Sequence, residues 1–214
     1  VDKSEWGMSP QTVNAYYSPT SNQITFPAAY LQPPFFDKDA TTAVNYGAVG
    51  ATIGHEIGHG FDDHGRKYDA SGNRSDWWTP EDLAAFEAKT KQLIDQFDVL
   101  VPEGLDPKYH VDGALTVGEN LADLRGLQIA VEAYRIAAKR AGIDPDYQQM
   151  FLSYARSWRE KQTEESTISL LQDVHAPNEF RCNQIVRNIA QFYNTFAVEE
   201  GDKLFLPENQ RITL

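Results

Sequence analysis

The sequence predicts a mostly helical α+β domain with one small β-hairpin. Two observations set that class. Apolar residues recur at helical spacing over about 41–63, 80–99, 118–140, 146–161 and 184–197. Two short runs with β propensity, 13–18 and 22–27, flank Pro19-Thr20-Ser21, a turn signal. A third observation concerns size. The chain has 214 residues, 41% of them hydrophobic, enough to bury a real core as one domain over 1–214.

The elements follow in order. Tyr16, Tyr17, Ile24, Thr25 and Phe26 make the hairpin strands, and an exposed strand edge there can accept an extended peptide as one more strand. Residues 30–37, with Pro33-Pro34 and three aromatics, read as an irregular wall. Val44 to Ile53 is apolar and rich in small residues, which predicts a buried helix with close neighbours. Residues 64–78 form a loop. Its Asp69-x-Ser71-Gly72-Asn73 stretch lacks the later glutamate of a calcium loop and reads as turns. Thr79-Pro80 starts the second helix, with Thr79 as cap and Pro80 in the first turn. Residues 101–116 are a second loop. His110 and His64 read as packing or surface histidines, and Cys182 as a packed small apolar residue.

The first buried helix ends in His55-Glu56-x-x-His59. Residues four apart share a helix face, so both imidazoles can meet one metal ion. Glu56, one step round, can reach a water on that ion without ligating it. A catalytic zinc takes three protein ligands and keeps one position open. Val117-Gly118-Glu119-Asn120-Leu121-Ala122-Asp123 opens the third helix and puts Glu119 and Asp123 on its inward face. A buried carboxylate pair is costly without positive charge, donors or a metal. Glu119 as third ligand, with Asp123 accepting the free N–H of a ligand histidine, removes that cost. Asp62, three residues after His59, is the matching orienter for His59.

These motifs resemble the catalytic domain of the neprilysin and endothelin-converting-enzyme family of zinc metallopeptidases, including its bacterial oligopeptidase members. The resemblance runs from about Trp6 to Leu206. It takes in Val13-Asn14-Ala15-Tyr16-Tyr17, Asn22 to Ala28, Leu31 to Phe36, His55 to Asp63, Gly118 to Asp123, and Val174-His175-Ala176-Pro177-Asn178-Glu179-Phe180-Arg181. Arg125 and the stretch Cys182 to Asn188 depart from the family pattern, and so does the Arg211-Ile212-Thr213-Leu214 end, where relatives usually carry a Trp. The resemblance implies a thermolysin-like zinc-peptidase lobe whose hairpin carries the substrate-binding edge strand. It implies one Zn²⁺ ion on His55, His59 and Glu119, Glu56 as general base, and Asp62 and Asp123 behind the ligands. Asn14 and Ala15 would bind the substrate backbone, His175 the transition state and Arg181 the substrate carbonyl. Tyr30, Phe35 and Trp158 would wall the pocket for a hydrophobic side chain, although the pattern around Trp158 by itself reads as core packing.

The implied reaction is hydrolysis of peptide bonds on the amino side of hydrophobic residues. Two rivals remain. A deformylase-type hydrolase would need an upstream cysteine ligand, which the chain lacks; the other is a non-enzymatic peptide-binding lobe with structural zinc, or a fragment inactive without its helical domain. A net charge of −12 disfavours nucleic acid and anionic membrane partners, and no stretch is apolar enough to span a bilayer. The single cysteine excludes an internal disulfide, and since the animal relatives are disulfide-rich the chain resembles a bacterial member; a periplasmic or other extracytoplasmic location is favoured for it, with a cytoplasmic one left open. Val1 is not a natural start, so an upstream helical domain, a second chain or self-association is expected to complete the lobe.

Overall fold

The computed structural model describes residues 1–214. The predicted hairpin forms, but it is short. β1 (Tyr16–Ser18) pairs antiparallel with β2 (Gln23–Thr25), Tyr17 facing Ile24, and these two strands are the whole sheet. The wall that follows holds a 3₁₀ turn over Ala28–Tyr30.

The predicted helix over 41–63 is one rod with three geometries. α1 (Thr42–Asn45) widens into a π turn at Tyr46–Gly50, α2 (Ala51–Gly58) follows, and a 3₁₀ turn at His59–Phe61 ends it. Side chains reaching into a helical ladder are a recognised cause of such widening. Here Ser153 Oγ donates to the Val44 carbonyl at 2.8 Å. α3 (Pro80–Asp98) begins as predicted. The Asp82 N–H donates to Thr79 Oγ1 at 3.1 Å, and Pro80 occupies the first turn, where its missing N–H costs nothing.

α4 (Val117–Ala141) is the central helix and ends at Gly142 in the left-handed conformation. Its buried face is Leu121, Leu124, Leu127, Ala130, Tyr134 and Ala138, while Ile136 is exposed. α5 (Tyr147–Ser157) is shorter than predicted. α6 (Glu164–Leu170) was not expected, because it buries no side chain and so carries no apolar period; its Thr163 cap accepts from the Ser166 N–H at 3.2 Å.

The helix predicted at 184–197 is two. α7 (Asn178–Val186) starts directly after Pro177, and α8 (Ala190–Phe196) follows a break. Asn188 explains the break. Its Nδ2 donates to the Gln184 carbonyl (3.1 Å) and to Gln96 Oε1 (2.9 Å), while its Oδ1 accepts from the Ile212 N–H (2.9 Å). A buried side chain bonding the backbone competes with the helical ladder. Phe97, Leu93, Leu124, Leu127, Met150, Ile185 and Ile212 form the fully buried centre between α3, α4, α5 and α7.

α2 and α4 touch backbone to backbone. A Cβ on Gly54 would lie 2.5 Å from the Gly126 carbonyl oxygen, and a Cβ on Gly126 would lie 2.6 Å from the His55 nitrogen. Neither atom has room. Gly126→Ala is therefore expected to destabilise the fold by about 1–3 kcal/mol, the usual cost of overpacking a rigid contact. Urea denaturation measures it, and an unchanged midpoint would show that the helices can separate freely.

Candidate metal centre

The end of α2 and the 3₁₀ turn after it hold His55 and His59 with their rings edge to face, Nε2 atoms 2.9 Å apart. Each ring is turned by a carboxylate behind it. His55 Nδ1 lies 2.7 Å from Asp123 Oδ1, and His59 Nδ1 lies 2.7 Å from Asp62 Oδ2. An Nδ1 facing a carboxylate oxygen carries its proton there, so the neutral ring leaves Nε2 as a bare lone pair. Glu119 from the first turn of α4 brings Oε2 to 3.3 Å from His55 Nε2 and Oε1 to 3.7 Å from His59 Nε2. The three donor atoms fall within 4.8 Å of one another. Two lone pairs and a carboxylate at this separation repel unless a proton or a metal cation lies among them. Two nitrogens and one oxygen, with a fourth direction open to the cleft, is the donor set a catalytic zinc takes.

Asp62 does not stay on the helix, as its spacing alone implies. The chain turns extended there, and Asp62 Oδ1 accepts from the backbone N–H groups of His64 (2.8 Å) and Gly65 (2.6 Å). Those two bonds hold the carboxylate under His59. Asp123 is held by Arg181 of α7: Nε donates to Oδ2 at 2.7 Å and Nη2 to Oδ1 at 2.9 Å, with a longer Nη2 contact to Glu119 Oε2 at 3.4 Å. The guanidinium lies over the Trp158 ring, 4.5 Å from its centroid.

The electrostatics follow from burial and these pairs. Burial works against charge on Glu119, but hydrogen bonds from His175 and His55 outweigh it and hold its carboxyl well below the usual range. Burial opposes ionisation of Asp123 too, and Arg181 with His55 overcomes it. Burial raises the Glu56 carboxyl, and the two histidines offset that only in part. Burial pushes the Cys182 thiol up to about 12, that of a packed, unreactive side chain.

A cleft of about 660 Å³ opens above the donors. Every residue singled out for the site borders it: Asn14 and Ala15 beside β1; Tyr30, Phe35 and Trp158 on the apolar side; His55, Glu56, His59, Asp62, Glu119, Asp123, His175 and Arg181 around the centre. Tyr30 and Phe35 stack at 4.3 Å, and the Tyr30 hydroxyl is 2.7 Å from Thr52 Oγ1 on α2. Asp173 escaped the sequence reading. Its Oδ1 accepts from the His175 backbone N–H (2.8 Å) and lies 2.6 Å from His175 Nδ1, so it aims Nε2 at the cleft, 3.3 Å from Glu119 Oε2. An aspartate two residues before a histidine was the available signal. His64 borders the cleft mouth, and His110 lies outside it, near the Val111 carbonyl.

The helical lobe, the histidine pair on one turn and the carboxylate third donor define a metallopeptidase-type centre. The family model described as Peptidase family M13 matches residues 14–212, and the chain belongs to that family. It is 43% identical to a "Neutral endopeptidase" of Lactococcus lactis over 212 residues, covering 98% of this chain and 32% of the relative. It is 41% identical to an "Endothelin-converting enzyme homolog" of Locusta migratoria, covering 95% of this chain and 29% of that protein. Among solved structures, the Mycobacterium tuberculosis zinc metalloprotease ZMP1 with inhibitor superposes with a TM-score of 0.94 at 49% identity, covering all of this chain and 34% of that one. PEPO from Lactobacillus rhamnosis superposes with a TM-score of 0.91 at 42% identity, covering 100% of this chain and 33% of that one. The chain thus spans about a third of the length of these relatives.

Metal affinity should depend on pH with a definite sign. Without metal, burial disfavours charge on His55, yet Asp123 and Glu119 outweigh it and push its pKa up to about 9. Zinc must displace that proton, so its affinity should rise roughly tenfold per pH unit below that value. Glu119→Ala should abolish retention on dialysis, and Asp123→Ala should weaken affinity by about 10–100-fold. Competition with a chromophoric chelator across neutral pH checks all three; zinc held equally at every pH would contradict the donor set.

Proposed function

We propose that this chain is the metal-binding lobe of a zinc-dependent endopeptidase that cuts peptide bonds on the amino side of hydrophobic residues. One observation carries the reading. Glu56 is buried at the edge of the donor set, is not one of the three donors, and has a carboxyl raised by its surroundings. A structural metal site needs no such group; a hydrolytic one does. The donor set also contains no thiol, which removes the ground for a deformylase-type centre.

Zinc on His55, His59 and Glu119 would supply Lewis acidity, polarising the scissile carbonyl and acidifying a water. Glu56 then takes the water's proton and returns it to the departing nitrogen. His175 points Nε2 into the cleft while Asp173 engages Nδ1; Glu119 chiefly favours its protonated form, and a doubly protonated ring can donate to the developing oxyanion. Arg181 spends Nε and Nη2 on carboxylates, leaving Nη1 to meet a substrate carbonyl. The unpaired edge of β1, continued by Asn14 and Ala15, receives the peptide backbone as an added strand. Tyr30, Phe35 and Trp158 form the wall met by the hydrophobic side chain. Chain beyond this third of the relatives' length, or a second polypeptide, would limit substrate size.

Glu56→Gln should keep zinc and fold while turnover falls by roughly two to four orders of magnitude. A quenched fluorescent peptide assayed beside zinc quantitation tests this, and wild-type turnover in the variant would sink the mechanism. His175→Phe should cost about 10²–10³ in kcat with little change in KM, because its bond is made mainly in the transition state. Asp173→Asn should follow the same pattern more weakly. An effect of His175 confined to KM would contradict its assignment.

A further inference from the structure

A two-stranded hairpin is marginal in water by itself. Yet β1 with Asn14 and Ala15 must stand at a fixed distance from the donors if a peptide is to lie along it. The contacts at the hairpin tip show what fixes it. Asn22 sits in the left-handed region at φ 51°, where asparagine is among the few side chains tolerated. Its Oδ1 accepts from the Tyr17 hydroxyl of β1 at 3.0 Å, and its Nδ2 donates to the Ala70 carbonyl at 3.2 Å. Ala70 belongs to the turn that resembled an incomplete calcium loop. Asp69 Oδ1 accepts from the Ser71 and Asn73 backbone N–H groups at 2.9 Å each, which leaves the carboxylate employed in shaping the turn. The same turn meets the hairpin a second time. Gly72, at φ 82°, lies so close that a Cβ would be 2.0 Å from the Thr20 carbonyl oxygen. The segment leading to this turn is fastened at its start by Asp62, which takes the Gly65 N–H and lies behind His59.

We infer that Asn22 is a positioning residue: it latches the substrate-edge strand to the Asp69–Asn73 turn and so sets the strand's distance from the metal ligands. The inference rests on the peptidase reading above for the meaning of the edge strand, but the latch itself does not. The Asp69 turn thereby acquires a role that needs no cation.

Two variants separate the parts. Asn22→Gly keeps the left-handed backbone and removes both bonds. Asn22→Asp keeps the acceptor for Tyr17 and removes the donor to Ala70. In each, hydrogen exchange of the Tyr16–Ser18 amides should accelerate about tenfold or more while α2 stays protected, the scale of a lost hydrogen bond. Binding is then measured on zinc-loaded protein carrying Glu56→Gln. An extended decapeptide should bind about tenfold more weakly to either latch variant, while a blocked dipeptide that reaches only the apolar wall should change by less than about twofold. Zinc content should not move. Unchanged exchange at Tyr16–Ser18 would overturn the latch, and equal losses for both peptides would overturn its positioning role. If the decapeptide binds the Glu56→Gln parent no better than the dipeptide, the edge-strand reading fails instead, while the exchange data still decide the latch.

Discussion

The backbone contact between Gly54 and Gly126 is the constraint on which the rest of the centre depends. α2 and the 3₁₀ turn after it supply two imidazoles and α4 supplies two carboxylates, from positions far apart in sequence. Ordinary side chains at the crossing would hold helix axes about 8–10 Å apart. With no Cβ on either side, the helices close until Asp123 reaches His55 Nδ1 at 2.7 Å and Glu119 stands beside both Nε2 atoms. Closeness here is not an outcome of hydrophobic packing alone. It is a precondition for first making the donor set, and the core residues around Leu124 and Leu127 then hold the two helices together.

Charge is the second organising principle. Glu56, Asp62, Glu119 and Asp123 crowd a partly buried space, and buried carboxylates need partners. Arg181 answers two of them from α7, and Trp158 backs its guanidinium face. Backbone N–H groups answer Asp62. Glu56 alone has no such partner, which is why its affinity for a proton rises while that of Glu119 falls. One field thus holds two glutamates in opposite conditions: Glu119 is kept ionised, while Glu56 binds a proton more readily than a free carboxyl.

The pairs His55 with His59 and Glu119 with Asp123 were legible because each spacing is local, although their meeting across two helices is not. A spacing of four on a helix fixes a shared face, and Glu119 with Asp123 repeats it on α4. The aligned motifs carried His175, Arg181 and the edge strand as far as the cleft they now border. Part of what stayed hidden depends on distant partners. The break between α7 and α8 follows from Asn188 meeting Gln96 and Ile212, neither near it in sequence. α6 lacks an apolar stripe, so no periodicity announces it. Asp173 became visible as the orienter of His175 only once its Oδ1 was seen against Nδ1. The Gly54–Gly126 contact was foreshadowed only by the small residues leading into the helix.

The π turn at Tyr46–Gly50 has a consequence for how this rod can evolve. A π turn is an α-helix carrying one additional residue, absorbed as a local bulge. Each residue advances an α-helix by about 100°. The bulge therefore sets the angular phase between α1, which packs on α5, and the face of α2 that carries His55 and Glu56. Loss of a single residue there would leave a regular helix, with composition and hydrophobicity nearly unchanged. Yet one of its two halves would be a quarter-turn out of step with its neighbours. The residue count of the segment therefore behaves as a fixed quantity of the fold, as constrained as Gly47 within it, where a Cβ would lie 2.1 Å from the Met150 carbonyl oxygen.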